Sequence, residues 1–167
     1  MGKKILPIVA ALIGIVYSVS FGQIDFDRKL KSLYKNTVPL IRSEPLLSEI
    51  PTSDVIILDT RSAKEFKVSR LYGAPLLDYD SFKPDDIKNV NKNSMIIVYC
   101  SVGYRSELMG EQLIKLGFKN VSNLYGGIFD WINNDNLIVS SARLSTDSVH
   151  TYNKEWSKCV KKGVRIY

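Results

Sequence analysis

Residues 95–106 read Met95-Ile96-Ile97-Val98-Tyr99-Cys100-Ser101-Val102-Gly103-Tyr104-Arg105-Ser106, and this stretch decides the fold. The first five are apolar or aromatic without polar alternation, the pattern of a strand buried on both faces. A cysteine follows directly. Gly103 permits a sharp turn of the backbone, and Met109, Leu113 and Leu116 then share one helical face that stops at Gly117. Strand, cysteine, short loop and helix are the parts of an open α/β sheet, where ligands gather at the carboxyl ends of strands.

The same alternation extends outward. Val55-Ile56-Ile57-Leu58 is a second buried strand, and Ser62-Ala63-Lys64-Glu65 is a capping box that starts a short helix. Ala74–Leu77 reads as a strand and 84–90 as a helix. Val121–Tyr125 reads as a strand, then Gly126-Gly127 and a short helix around Trp131, a core residue. Upstream, Phe26, Leu30, Leu33 and Tyr34 have helical spacing, Val38–Ile41 is an edge strand tolerant of Pro39, and a brief helix follows Ser43. The expected fold is α/β, a parallel sheet with helices on both faces. At the C-terminus, Val149, Tyr152, Trp156 and Val160 form an apolar stripe with Lys154, Lys158, Lys161 and Lys162 turned away, which predicts an amphipathic tail helix docked on the domain.

Lys3 and Lys4 precede an uncharged, mostly apolar run from Ile5 to Val19, which ends in Ser20-Phe21-Gly22. Fifteen residues fall short of the roughly 20 of a spanning helix, so residues 1–22 read as a secretory signal peptide, cleaved or kept as an anchor. Either way the remainder is expected outside the cytoplasm, periplasmic or extracellular, without stable membrane insertion after cleavage. The divisions that follow are a helical extension at 23–37, a domain at 38–135 and a C-terminal extension at 136–167. Loss of Lys3 and Lys4 takes the formal net charge from +6 to +4. No basic run is interleaved with aromatics, so no nucleic-acid partner is expected. One histidine and two distant cysteines cannot close a metal site, and no phosphate-binding glycine loop is present, so no metal or cofactor is expected.

The chemistry concentrates at Cys100. The loop Ser101-Val102-Gly103-Tyr104-Arg105 can turn its N–H groups inward as an anion nest, and the following helix adds the positive end of its dipole. Such surroundings favour thiolate, and Arg105 closes the loop with a fixed cation. A cysteine at the end of a buried strand is otherwise an ordinary small core residue; it is the loop, the arginine and the helix that mark this one as a nucleophile. Asp59 and Arg61, at the end of the neighbouring strand, are read as supports of the loop, because buried charges need partners. Cys159 lies beside the tail stripe and reads as half-buried and inert.

Several ordered motifs now resemble one family. Asp59-Thr60-Arg61, Glu65-Phe66, Gly73-Ala74, the loop Cys100–Ser106, Leu116-Gly117-Phe118 and Leu124–Gly127 through Trp131 are similar to the landmarks of single-domain rhodaneses. Arg70 stands where many relatives have a histidine. The resemblance implies a sulfurtransferase: Cys100 takes the sulfane sulfur of a small anionic donor such as thiosulfate. It holds that sulfur as a persulfide within Ser101–Arg105 and passes it to cyanide, a small thiol or a protein thiol. Three rivals stand beside it. A phosphatase or arsenate reductase on this fold would have five residues between cysteine and arginine, whereas four separate Cys100 from Arg105. A non-catalytic binding module would commonly lack the cysteine. A thiol–disulfide oxidoreductase would need Cys159 to resolve Cys100, and there is no C-x-x-C.

Overall fold

The structure, a computed structural model, describes residues 25–44 and 55–167. The signal-peptide reading of 1–22 therefore lies outside the described residues, and of the helix expected after Ser43 only 43–44 lies within them, where it is helical. The described chain divides after Leu33. The first unit contributes one helix, α1, over 25–33, which ends before Tyr34, a residue expected on its face.

From Tyr34 onward the chain builds a four-stranded parallel sheet in the order β1 (Leu40–Ile41), β4 (Asn120–Leu124), β3 (Met95–Tyr99), β2 (Val55–Asp59). The apolar runs read as strands are thus the sheet. β3 is central: Ile96, Ile97, Val98 and Tyr99 are all fully buried. Because successive residues of a strand face opposite ways, Ile96 and Val98 enter one core with Val121 and with Met109 and Leu113 of α3 (Tyr104–Lys115). Tyr99 faces the side of Asp59 and Leu71. β2 departs from the expectation of burial on both faces. It lies at the sheet's edge, and Val55, Ile56 and Ile57 are half-buried. Two connecting elements are also shorter than expected. Ala74–Leu77 supplies a single bridge, Leu76 to Asp59, and 84–90 yields a 3₁₀ turn at Pro84–Ile87. α2 (Ala63–Val68) keeps its capping box, and α4 (Gly127–Asn133) carries Trp131 in the core as expected.

The tail corrects the sequence reading. In place of an amphipathic helix through Val149–Val160, the chain forms β5 (Ile138–Val139) paired with β6 (Ser145–Thr146). It continues into β7 (Ser148–His150), α5 (Lys154–Ser157) and β8 (Val164–Ile166), which pairs in parallel with β7. Val149 and Val160 are fully buried, but Tyr152 is 60 % exposed, so no continuous stripe exists. The physical reason is local. The Asn153 side chain accepts the Trp156 N–H and starts a new helix there, which uncouples residues 149–152 from those beyond. β7 packs against α2, and the tail forms a β–α–β strap.

Candidate active site

β3 delivers Cys100 into a turn that α3 closes. Gly103 takes φ +98°, and its N–H donates to Cys100 Sγ at 3.1 Å. A side chain at Gly103 would overlap the Tyr34 hydroxyl, which donates to Val102 O at 2.6 Å and accepts the Gly126 N–H at 3.0 Å. Burial pushes the Tyr34 phenol far above its ordinary pKa, so it stays neutral and holds both loops. From the other side, the Asn123 side-chain amide donates to Gly103 O at 2.9 Å while its carbonyl accepts the Ser106 hydroxyl at 2.7 Å. The Cys100 sulfur thus sits in a pinned turn and receives the Gly103 N–H at the start of a helix.

The third support is α4. Its first-turn N–H groups, those of Ile128 and Phe129, donate to the carbonyls of Cys100 (2.9 Å) and Ser101 (3.2 Å). Gly127 makes this approach possible: it takes φ +55°, and a Cβ there would overlap the Cys100 carbonyl oxygen. Gly127→Ala is therefore expected to cost about 3 kcal/mol or more, since both the steric overlap and the left-handed backbone oppose it. Urea unfolding of the variant checks this; a loss below about 1 kcal/mol would contradict the described approach of α4 to the loop.

Glu65 organises the electrostatics, whereas the sequence reading has it as a helix cap and a family landmark and not as a partner of Arg105. Its carboxylate accepts the Ser62 N–H (3.0 Å) and the hydroxyls of Ser62 and Ser101 (2.8 Å each). It also receives both terminal nitrogens of Arg105, Nη1 at 2.8 Å and Nη2 at 2.7 Å. Burial works to raise the Glu65 pKa, but Arg105 first, then Ser101 and Ser62, hold it down at about 2. For Arg105, burial disfavours the cation, and Glu65 more than restores it. The cation expected to meet the substrate is thus already engaged, bidentate, with a carboxylate.

The other expected site residues fall out as follows. The side chains of Ser101 and Val102 are buried and that of Tyr104 is exposed, so the loop's inward face is made by its backbone and Cys100. Asp59 and Arg61 form a fully buried pair. Asp59 Oδ2 accepts the Tyr99 hydroxyl at 2.7 Å, and Thr60 N donates to Tyr99 O at 2.8 Å. Their support therefore acts on Tyr99, one residue before Cys100, and not on 101–105. Cys159 is half-buried, and the tail brings His150 and Tyr152 to this edge instead. Arg105 lies 5.6 Å from the centre of the Tyr152 ring. Among the described residues, no group of three or more His, Cys, Asp or Glu side chains could hold a metal ion.

A parallel α/β domain with a cysteine cradled between the end of a central strand and a helix defines the class. A family model, the rhodanese-like domain, matches residues 43–134, and the chain belongs to that family. Among solved structures, the fold is similar to that of the thiosulfate sulfurtransferase of Pseudomonas aeruginosa. There the TM-score is 0.56 at 18 % identity, covering 62 % of this chain and 20 % of that one. A Bacillus halodurans protein matches at TM-score 0.55 and 20 % identity, covering 73 % and 90 % of the two chains. In sequence, the chain is similar to proteins named tRNA uridine(34) hydroxylase. That of Cytophaga hutchinsonii is 34 % identical over 82 residues, 47 % of this chain and 26 % of that one. That of Bacillus thuringiensis is 38 % identical over 80 residues, 45 % and 25 %. The chain thus matches about a quarter of the length of these curated relatives. Their name also bears on the expectation of no nucleic-acid partner: a domain similar to this one occurs in proteins named for a tRNA.

Proposed function

We propose that the chain is a sulfurtransferase that carries a sulfane sulfur on Cys100. The observation that supports this most is the Gly103 N–H on Cys100 Sγ inside a loop pinned by Tyr34, Asn123 and α4. The Cys100 thiolate attacks the outer sulfur of a donor; with thiosulfate, the S–S bond breaks and sulfite leaves with the electron pair. Cys100 keeps the sulfur as a persulfide, whose charge the loop N–H groups receive. A thiol or cyanide then removes that sulfur and returns the thiolate. The loop residues Ser101–Arg105 act here through their backbone and through Arg105. With four residues between Cys100 and Arg105, the loop suits a sulfur atom better than a tetrahedral oxyanion. Export of the chain, read from Lys3, Lys4 and the run Ile5–Val19, belongs to the same proposal and is tested by sequencing the N-terminus of the protein recovered outside the cytoplasm.

Treatment of the reduced protein with a sulfane-sulfur donor is expected to add the mass of one sulfur atom, mapped to the peptide of Cys100. Cys159→Ala is expected to keep most of the sulfurtransferase activity, since Cys159 stands in the tail, outside the Cys100 loop. A Cys100–Cys159 disulfide, with activity lost in Cys159→Ala, would favour thiol–disulfide chemistry instead. A second reading is the tRNA activity named for the curated relatives, favoured by their 34 % and 38 % identity over the matched segments. Nucleoside mass spectrometry of tRNA incubated with the protein separates the two: a hydroxylated uridine without Cys100 persulfide would favour the second.

A further inference from the structure

Building on the Cys100 persulfide reading, we propose that Tyr152 is a substrate-recognition residue at the mouth of this site. The sulfur carrier it selects has an aromatic or bulky apolar body; a bare inorganic anion such as thiosulfate is the poorer fit. Tyr152 lies outside the family match at 43–134, so its position belongs to this chain's own extension.

The backbone is the first argument. Tyr152 takes φ +64°, the left-handed region that bulky side chains avoid. Its neighbours hold it there. The Tyr152 N–H donates to His150 Nδ1 at 3.0 Å, both the N–H and the hydroxyl of Thr151 donate to Ile166 O (2.8 and 3.1 Å), and Asn153 caps α5. His150 is 4 % exposed, and burial lowers its pKa, so its ring stays neutral and its Nδ1 remains an acceptor. A strained residue kept in place by four such bonds is the mark of a functional position.

The ring is the second argument. The strain is not offset by burial, because the Tyr152 ring is 60 % exposed. It stands instead beside Arg105, the residue that closes the Cys100 loop, at 5.6 Å, and Tyr104 of the same loop is also exposed. The charge of the loop is the third argument. Arg105 spends both terminal nitrogens on Glu65 and lies beside an aromatic ring, so no unpaired guanidinium is offered to a small dianion. What the mouth does offer is an aromatic surface, onto which a flat organic group can stack.

Two donors with the same reacting group test this: benzenethiosulfonate and methanethiosulfonate, with cyanide as acceptor. In each, the Cys100 thiolate attacks the outer sulfur, the S–S bond breaks and the sulfinate leaves with the electron pair. Cyanide then takes the sulfur as thiocyanate and restores the thiolate. The unsubstituted protein is expected to favour the aromatic donor by roughly three- to tenfold in kcat/KM, the range of one aromatic pair. Tyr152→Gly suits the left-handed backbone and so keeps the strap; it is expected to bring the ratio close to one. Tyr152→Phe is expected to retain the preference. A ratio unchanged in Tyr152→Gly, or no aromatic preference in the unsubstituted protein, would overturn the proposal while leaving sulfur transfer intact. Absence of thiocyanate from both donors in the unsubstituted protein would instead overturn the persulfide reading, and this proposal with it.

Discussion

Cys100→Ser is expected to abolish thiocyanate formation, by a factor on the order of 10³ or more, with the far-UV circular dichroism unchanged. Serine is close to isosteric with cysteine, and its oxygen can accept the Gly103 N–H that now reaches Sγ at 3.1 Å. The carbonyl of residue 100, which receives α4, is untouched. The fold therefore has every contact it had before. What is lost is the nucleophile: a hydroxyl is far less ionised at neutral pH and forms no persulfide. Activity retained in the folded variant would remove Cys100 from the chemistry and, with it, the sulfur-transfer reading.

Glu65→Gln is expected to cost about 3 kcal/mol of stability at neutral pH, because it leaves Arg105 without a counter-charge in a site where Glu65 is only 2 % exposed. The depressed pKa of Glu65, caused by the same contact with Arg105, points to a similar magnitude. Glu65 has its pKa depressed from 4.5 to about 2 in the folded protein. A depressed carboxylate stabilises the fold above its unfolded pKa, and that contribution is lost as pH falls from about 4.5 through about 2. The shift is worth about 3 kcal/mol at 1.36 kcal/mol per pH unit. Urea unfolding of the unsubstituted protein should show this loss between those limits, and the Gln variant should lack that share of it. Equal acid sensitivity in the two proteins would mean that the Glu65–Arg105 pair contributes nothing to the folded state.

The two effects separate chemistry from scaffold. Cys100 is expected to be replaceable without harm to the fold because, among the described residues, what its sulfur receives is the Gly103 N–H. Glu65 is not, because α2, the loop at Ser101 and the side chain of Arg105 all converge on its carboxylate.

The central sheet and the family likeness were legible along the chain. Apolar runs such as Ile96–Tyr99 mark strands, though not which of them is central, and the capping box at Ser62–Glu65 and the stop at Gly117 are set by neighbours a few residues away. Local spacing carries such information because the interactions involved are local. The tail shows where that ends. Val149, Tyr152, Trp156 and Val160 have helical spacing, but Asn153 breaks the run, and β7 finds its partner, β8, across α5. Only the tertiary structure decided which groups surround Cys100. Tyr34 reaches Val102 across 68 residues, Glu65 reaches Arg105 across 40, and Tyr152 arrives beside Arg105 from outside the family domain. None of these partners has a spacing that could announce it, because each meets the loop through the packing of separate elements and not along one of them.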